Sequence, residues 1–412
     1  MKLESLDLTV ERRNKPMFLK DNYQVSNLAD NTLEMNQKIS QMQKDGQTCI
    51  NAAIGMLLDD DKNLVNVPYL DEMIKSTLNE ETKRYGSITG GNEYQQVVAH
   101  WVLKDRVNDF KIGNIATPGG TGAINMAVHN YVNNTQHVFI PSPHWVNYDK
   151  IIKLNQGEME EYVINPIGQP IDFDKLFIRM SELAKQDQRL FFILNDPGQN
   201  PTGYSLNKEE YLKLVNYLQE LGKSVPVVLL VDYAYADYST SNDSVMNYLP
   251  NDMSFLTLVA VSFSKTLSIY GLRLGSLLAI SSKQESIDEF NEGAKIYARA
   301  TWSSMNNNLI KATSNMLSSD KVIAVQEFLN QQKQILTERA NLLINGLKDK
   351  GYTVYPYKSG FFVTVYREND DELLNNLYDK HVFCFRLTRD CFRISIASIS
   401  EFEIQKLLQN LY

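Results

Sequence analysis

Short apolar runs alternate with amphipathic segments between about Asn63 and Met316. Continuous apolar runs of four to seven residues are typical of parallel strands buried on both faces, and their alternation with helices indicates βαβ units. We therefore predict an α/β fold with a mainly parallel sheet in a large domain over residues 61–318. The clearest predicted strands are His137–Ile140, Leu190–Leu194, Val227–Val231 and Phe255–Val261.

The last hundred residues have a different pattern. Apolar residues recur at helical spacing between about 320 and 350, as at Val325, Phe328 and Leu336, which predicts one long helix. Strand-like segments then interleave with helices, which predicts a smaller α+β domain over residues 319–412. The expected strands there are Tyr352–Tyr355, Phe361–Tyr366, Phe383–Arg386 and Phe392–Ala397. The start of the chain is polar and irregular, which predicts an arm with a short helix near Leu33–Met42.

Composition excludes several classes of protein. The formal net charge is −8, which argues against a nucleic-acid partner. No apolar run reaches the roughly 18 residues that a membrane helix requires, and the first residues lack a signal-peptide layout. The five histidines and the three cysteines (Cys49, Cys384 and Cys391) show no metal-ligand spacing and no Cys-x-x-Cys pair. We expect a cytoplasmic protein without a metal site, a nucleic-acid partner or a membrane partner.

One lysine carries the strongest chemical signal in the chain. Lys265 follows the predicted strand Phe255–Val261, and ligands bind at the carboxyl ends of strands in α/β sheets. A lysine shielded from water there can lose its proton and act as an amine nucleophile. Ser262, Ser264 and Arg273 supply donors suited to a phosphate. A lysine beside a phosphate cradle is the arrangement that a Schiff base with pyridoxal 5′-phosphate (PLP) needs.

A lone lysine is usually a solvated surface residue, but the pattern Ser-x-Ser-Lys-x7-Arg-x-Gly from Ser262 to Gly275 resembles the cofactor-lysine segment of fold-type I aminotransferases.

A second predicted strand ends in Asp232, which precedes Tyr235 in an Asp-x-Ala-Tyr motif similar to that of the same enzymes. A carboxylate there can hold a proton on the pyridine nitrogen, which makes the ring an electron sink. The resemblance implies that Tyr235 donates to the phenolate oxygen of PLP.

A third predicted strand leads into Asn200-Pro201-Thr202-Gly203, which resembles the Asn-Pro-Thr-Gly run of the aspartate aminotransferase family. The resemblance implies that Asn200 binds the ring oxygen of the cofactor and the substrate carboxylate, for which its amide has a donor and an acceptor.

The glycine-rich turn Thr117–Ala123 precedes a helix, whose free N–H groups attract phosphate. It is similar to the family's phosphate-binding segment, which implies that Gly120 and Thr121 contact the phosphate.

Further residues take their expected roles from the same resemblance. Trp145 corresponds to the aromatic residue that stacks on the pyridine ring, and Arg393 to the arginine that binds the substrate α-carboxylate bidentately. Arg299 corresponds to an arginine for the substrate side-chain carboxylate, and Tyr85 to a tyrosine that reaches the phosphate; both come from the neighbouring subunit. Gly55 lies in a segment similar to one whose backbone lies beside the substrate.

The chain is identified as resembling the aspartate/aromatic aminotransferase branch of fold-type I PLP enzymes over residues 49 to 398. The resemblance implies a seven-stranded-type sheet between helices, with residues 1–60 contributing an arm and part of the small domain. It also implies cis peptides before Pro143 and Pro201, and a homodimer with shared active sites. The implied reaction moves an amino group from aspartate or an aromatic amino acid to a 2-oxo acid, with 2-oxoglutarate the expected acceptor, through a Schiff base on Lys265.

Other uses of the same residues remain open at this point. A β-lyase or a decarboxylase would need the same cofactor site. A PLP-binding transcription regulator would need a DNA-binding domain and a basic patch, which the start of the chain does not provide. An inactive scaffold is disfavoured because Lys265, Asp232 and Arg393 are all present. The sequence alone does not choose between aspartate, aromatic and other amino donors.

Overall fold

The computed structural model describes residues 31–241, 243–368 and 371–411. The chain divides into two compact units, Met1–Cys49 and Ile50–Tyr412. In the first unit the described part contains helix α1, Asn31–Lys44, which confirms the helix predicted near Leu33–Met42. The first 30 residues of the predicted arm lie outside the described part.

A seven-stranded sheet forms the centre of the second unit. Its spatial order is β2-β8-β7-β6-β5-β3-β4; strand β8 is antiparallel to both neighbours and the other four pairs are parallel. The mainly parallel α/β sheet predicted from the apolar runs is therefore confirmed. The strands are β2 Lys111–Thr117, β3 His137–Ser142, β4 Glu158–Val163, β5 Leu190–Asn195, β6 Val227–Asp232, β7 Leu256–Ser262 and β8 Gly275–Ser281.

Helices cover both faces of this sheet because successive side chains of each strand point to opposite faces. Phe191 and Ile193 of β5 belong to one apolar cluster, together with residues of the helices Gly119–Tyr131, Asn147–Leu154 and Gln284–Thr301. Phe192 and Leu194 belong to the other, together with residues of the helices Asn92–Leu103, Phe173–Asp187 and Lys208–Leu221. The helices of this part are α2 Leu70–Thr77, α3 Asn92–Leu103, α4 Gly119–Tyr131, α5 Asn147–Leu154, α6 Phe173–Asp187, α7 Lys208–Leu221, α8 Phe263–Thr266, α9 Gln284–Thr301 and α10 Asn307–Ser318. Short 3₁₀ helices lie at Lys104–Asp109, Ala236–Tyr238 and Val245–Asn247.

A second, antiparallel sheet follows the long helix α11, Val322–Asp349, which confirms the helix predicted there. Its order is β12-β13-β10-β9, with β9 Thr353–Val354, β10 Phe362–Tyr366, β12 Phe385–Thr388 and β13 Cys391–Ser395. Strand β1, Ile50–Asn51, pairs in parallel with β11, Val382–Phe383. The remaining helices are α12 Asp371–Asp379 and α13 Glu401–Asn410.

The segment Phe383–Arg386, predicted as one strand, is divided at Cys384. Its first part belongs to β11 and pairs with β1, whereas its second part belongs to β12 and pairs with β13. The predicted division into a large domain over 61–318 and a small domain over 319–412 stays a prediction, since Ile50–Tyr412 forms one compact unit. Within the described ranges, every helix is too short or too polar to span a lipid bilayer.

Candidate active site

A pocket lies where the carboxyl ends of β5, β6 and β7 meet the amino end of α4. The strand ends are aligned: Asn195, at the end of β5, pairs in register with Asp232, at the end of β6, and donates from Nδ2 to its carbonyl oxygen at 3.0 Å. All the predicted cofactor-binding residues except Tyr85 line this pocket. The lining residues are Gly120, Thr121, Ile124, Trp145, Asn200, Asp232, Ala234, Tyr235, Ser262, Ser264, Lys265, Tyr270 and Arg273.

Lys265 extends into the pocket from helix α8, which begins directly after β7. Its Nζ donates to the carbonyl oxygen of Gly55 at 2.8 Å and lies 4.6 Å from the ring centroid of Tyr270. Burial, together with the positive charges of Arg393 and Arg273, lowers the pKa of Lys265 to about 7. An appreciable fraction of the amine is therefore neutral near neutral pH, which is the form that acts as a nucleophile or a base.

Asp232 also lines the pocket, and both of its carboxylate oxygens accept hydrogen bonds. The Tyr148 hydroxyl donates to Oδ2 at 2.6 Å, and the Ala234 N–H donates to Oδ1 at 3.3 Å. Burial raises the pKa of Asp232 to about 6, while these hydrogen bonds and the charge of Lys265 oppose that shift. The carboxylate thus remains mostly ionised near neutral pH, although it is buried.

Several hydrogen-bond donors lie around Arg273 in the same pocket. Helix α4 begins at Gly119, whose φ of +74° is unfavourable for other residues, and a Cβ there would lie 2.6 Å from Arg273 Nη2. Arg273 in turn donates from Nη1 to the Ser264 hydroxyl at 3.0 Å. The amino end of α4, the guanidinium and the hydroxyls of Ser262 and Ser264 together form a cradle of a kind that binds phosphate.

The pocket residues fit PLP, whose parts differ in charge. The donor cradle around Arg273 suits the phosphate, and the ionised Asp232 suits a protonated ring nitrogen. The Lys265 amine lines the same pocket and has a lowered pKa, as bonding to an aldehyde carbon requires. Trp145 supplies an aromatic face on the lining.

Arg393 adjoins the pocket from strand β13. It is 9% exposed and donates from Nη1 to Asn200 Oδ1 at 3.0 Å and from Nη2 to the carbonyl oxygen of Ala53 at 2.9 Å. The rings of Phe362 and Phe385 lie 4.0 and 4.8 Å from its guanidinium carbon. Its Nε has no hydrogen-bond partner among the described residues, and burial lowers the pKa of Arg393 to about 10. The group is a fixed, buried cation with spare hydrogen-bonding capacity.

Tyr85 and Arg299 are predicted site residues that do not line the pocket of this chain. Tyr85 is 93% exposed, and Arg299 is exposed near the end of α9, where its Nη1 donates to the Ser303 hydroxyl at 2.9 Å. Both predictions require a second chain and stay predictions.

Gly55 lies beside Lys265, and a Cβ there would lie 2.9 Å from the Phe362 ring. The glycine therefore allows the backbone at residue 55 to lie close to Phe362.

Sequence reasoning missed Tyr148 and Tyr270, which contact Asp232 and Lys265 respectively. The only signal was their spacing, three residues after Trp145 and five after Lys265.

The cis peptides predicted before Pro143 and Pro201 are confirmed, and the Asp196–Pro197 bond is also cis.

Comparisons with known proteins agree with this geometry. The sequence model of the family described as aminotransferase class I and II matches residues 47–411. The aspartate aminotransferase of Escherichia coli K12 is 26% identical over 314 residues, which cover 73% of this chain and 77% of that protein. The aromatic-amino-acid aminotransferase of Paracoccus denitrificans is 27% identical over 230 residues, 54% of this chain and 56% of that protein. The crystal structure of an aminotransferase from Anaerococcus prevotii superposes with a TM-score of 0.90 at 25% identity, covering 96% of this chain and 98% of that one.

Proposed function

The chain belongs to the aminotransferase class I and II family of PLP-dependent transaminases, and from this premise we propose its substrates. The enzyme moves an amino group between glutamate/2-oxoglutarate as one pair and aspartate or an aromatic amino acid as the other donor. Two of the similar proteins are an aspartate aminotransferase and an aromatic-amino-acid aminotransferase, which supports these donors. The proposed compartment is the cytoplasm, because three cysteines are too few for the disulfide framework of a secreted protein.

The observation that carries the proposal is the position of Arg393. Its guanidinium is buried, hydrogen-bonds Asn200 on the pocket wall and lowers the pKa of Lys265 by its charge. Every α-amino acid and every 2-oxo acid brings a carboxylate next to the reacting carbon. A planar guanidinium binds a carboxylate through two parallel hydrogen bonds, so Arg393 orients that carbon towards Lys265. This arrangement supports amino-acid and oxo-acid substrates.

The pocket residues have distinct proposed roles towards the cofactor. When bound, PLP supplies an electron sink that stabilises negative charge at the substrate Cα. Asp232 would hold a proton at the ring nitrogen, and Trp145 would cover a face of the ring. Tyr235 and Asn200 would donate to the ring oxygen. The phosphate would be held by Gly120, Thr121, Ser262, Ser264 and Arg273, with Tyr85 from a second chain.

Lys265 is the proposed base and acid of the reaction. Its pKa of about 7 lets the amine accept a proton from the substrate Cα and return it to a neighbouring carbon near neutral pH. Tyr238, whose hydroxyl donates to the Lys265 carbonyl oxygen at 2.9 Å, holds the backbone from which the amine extends. The hydrogen bond to the Gly55 carbonyl and the Tyr270 ring restrict the amine to the pocket.

We further propose that the active enzyme is a homodimer whose subunits share active sites, because Tyr85 and Arg299 lie outside the pocket of their own chain. The 93% exposure of Tyr85 supports contact of this residue with a partner subunit. Light scattering at the assay concentration should give about twice the chain mass of 47.1 kDa. A fully active monomer would exclude shared sites.

Replacing Arg299 with glutamine should lower kcat/KM for glutamate and aspartate by about 10²–10³-fold and change it little for phenylalanine and tyrosine. The reason is that a second guanidinium pairs with the side-chain carboxylate of a dicarboxylic donor, and a buried carboxylate without its partner costs a few kcal/mol. The measurement is a single-turnover reaction of the PLP enzyme with one amino acid at a time and no acceptor, followed through the absorbance of the cofactor.

The matched control is Arg389→Gln, which removes an exposed arginine outside the pocket and should leave all donors unchanged. Equal losses for the dicarboxylic and the aromatic donors, or no loss at all, would refute the role of Arg299. If wild-type enzyme reacts with neither glutamate nor aspartate nor an aromatic donor, the proposed substrates themselves are wrong.

A further inference from the structure

The Tyr148 side chain donates a hydrogen bond to the buried carboxylate of Asp232. It lies in the first turn of α5, is fully buried, and donates from its hydroxyl to Asp232 Oδ2 at 2.6 Å. The other oxygen, Oδ1, accepts a longer bond of 3.3 Å from the Ala234 N–H. Tyr148 itself is absent from the pocket lining, so it acts on a bound molecule through the lining residues that it contacts, of which Asp232 accepts its hydrogen bond.

Two neighbouring rings fix the direction of this hydroxyl. The Trp145 ring meets the Tyr148 ring edge-on, with centroids 5.5 Å apart and an angle of 88°. The His144 ring is stacked at 6.4 Å, and its Nε2 lies 2.6 Å from Asp149 Oδ1. A phenol held in this way loses little further conformational freedom when it donates to Asp232.

The chemistry of a buried phenol suits this position. Burial and the negative charge of Asp232 raise the pKa of Tyr148 well above its ordinary value, so the hydroxyl stays neutral and keeps its proton. A neutral donor stabilises the carboxylate without competing with a positive charge on its other side. A lysine or arginine there would instead neutralise the carboxylate.

We propose that Tyr148 is a positioning residue for amino-group transfer, which acts through Asp232 to keep a proton on the ring nitrogen of PLP. The inference rests on the proposed role of Asp232. Burial raises the pKa of Asp232 and the Tyr148 hydrogen bond lowers it, so the two effects oppose each other. Without the hydroxyl, Asp232 is more often neutral near neutral pH. A neutral carboxyl group does not stabilise a positive ring nitrogen, and the electron sink weakens.

The test is Tyr148→Phe, which removes one oxygen atom and keeps the ring packing. PLP labelled with ¹⁵N at the ring nitrogen reports protonation directly, because the chemical shift of a pyridine nitrogen differs between its protonated and unprotonated forms. We expect the signal of the variant to move towards the unprotonated form, with kcat lowered about 10- to 100-fold and KM nearly unchanged. Tyr148→Met, which also lacks the donor, repeats the test if the phenylalanine variant does not fold.

Tyr211→Phe is the matched control, because the Tyr211 hydroxyl also donates to a buried carboxylate, Asp196 Oδ1 at 2.5 Å, outside the pocket lining. It should lose similar stability without moving the nitrogen signal. A PLP analogue methylated at the ring nitrogen carries a fixed positive charge and should bring Tyr148→Phe closer to wild type in kcat.

The outcomes separate this inference from the function on which it rests. An unchanged nitrogen signal in Tyr148→Phe with PLP bound, or a signal moved equally in Tyr211→Phe, overturns the inference alone. An unprotonated ring nitrogen in the wild-type enzyme overturns the proposed role of Asp232, and the inference with it.

Discussion

Replacing Lys265 with alanine should lower amino-group transfer by at least about 10⁴-fold while the protein still folds and retains some PLP. Lys265 carries the only amine among the residues that line the pocket in the described part of the chain, so no other side chain there replaces it as base and acid. The substitution removes one donor, which leaves the Gly55 carbonyl oxygen without its hydrogen bond. The expected cost is about 1–3 kcal/mol in the free energy of unfolding, within what a chain of this size tolerates.

The measurement is steady-state turnover with glutamate and an oxo acid, together with the melting temperature and the PLP content of the purified variant. Lys358→Ala is the matched control, because the Lys358 amine also donates to a backbone carbonyl, that of Ser205 at 2.6 Å, outside the pocket lining. It should keep most of the turnover. A Lys265→Ala enzyme that retains a large share of wild-type turnover would exclude the proposed chemistry.

Replacing Arg393 with leucine should lower kcat/KM by about 10²–10³-fold for every amino donor, whatever its side chain. The reason is that all donors share the α-carboxylate, and removing one member of a buried charge pair costs about 3–5 kcal/mol. Arg393→Lys keeps the charge but loses the planar fork, so its loss should lie between wild type and Arg393→Leu. The measurement is the donor series described for Arg299.

The two arginine variants are expected to lose activity differently: Arg299→Gln with dicarboxylic donors only, and Arg393→Leu with every donor. A loss for Arg393→Leu confined to dicarboxylic donors would mean that Arg393, rather than Arg299, binds the side-chain carboxylate. A loss no larger than that of Arg389→Gln would mean that Arg393 does not contact substrate at all. In that case the spare Nε and the bond to Asn200 would serve packing only.

The strands that were clearest in the sequence are largely buried on both faces, and the exposed edge strand β4 was missed. Strands β5, β6 and β7 are buried on both faces and appear in the sequence as continuous apolar runs. The edge strand β4 contains three glutamates within Glu158–Val163, so the sequence shows no apolar run that would indicate a strand there. The division at Cys384 was also invisible, because the partners of the two halves, β1 and β13, are distant in the sequence.

The site residues were predictable where they follow a strand directly. Asp232, Asn200 and Lys265 come after buried runs, and the carboxyl ends of neighbouring strands meet at one edge of a sheet. Tyr148 and Tyr270 were missed because their contacts depend on how α5 and the turn after Lys265 are oriented, which periodicity does not encode.

The central claim is that Lys265 is the residue that binds PLP covalently. The most direct measurement is reduction of the PLP-loaded wild-type protein with borohydride, followed by digestion and mass spectrometry of the peptides. Reduction fixes the cofactor on the nitrogen to which it is bound, so we expect a pyridoxyl group on the peptide that contains Lys265. A pyridoxyl group on any other lysine, or on none although PLP is bound, would contradict it.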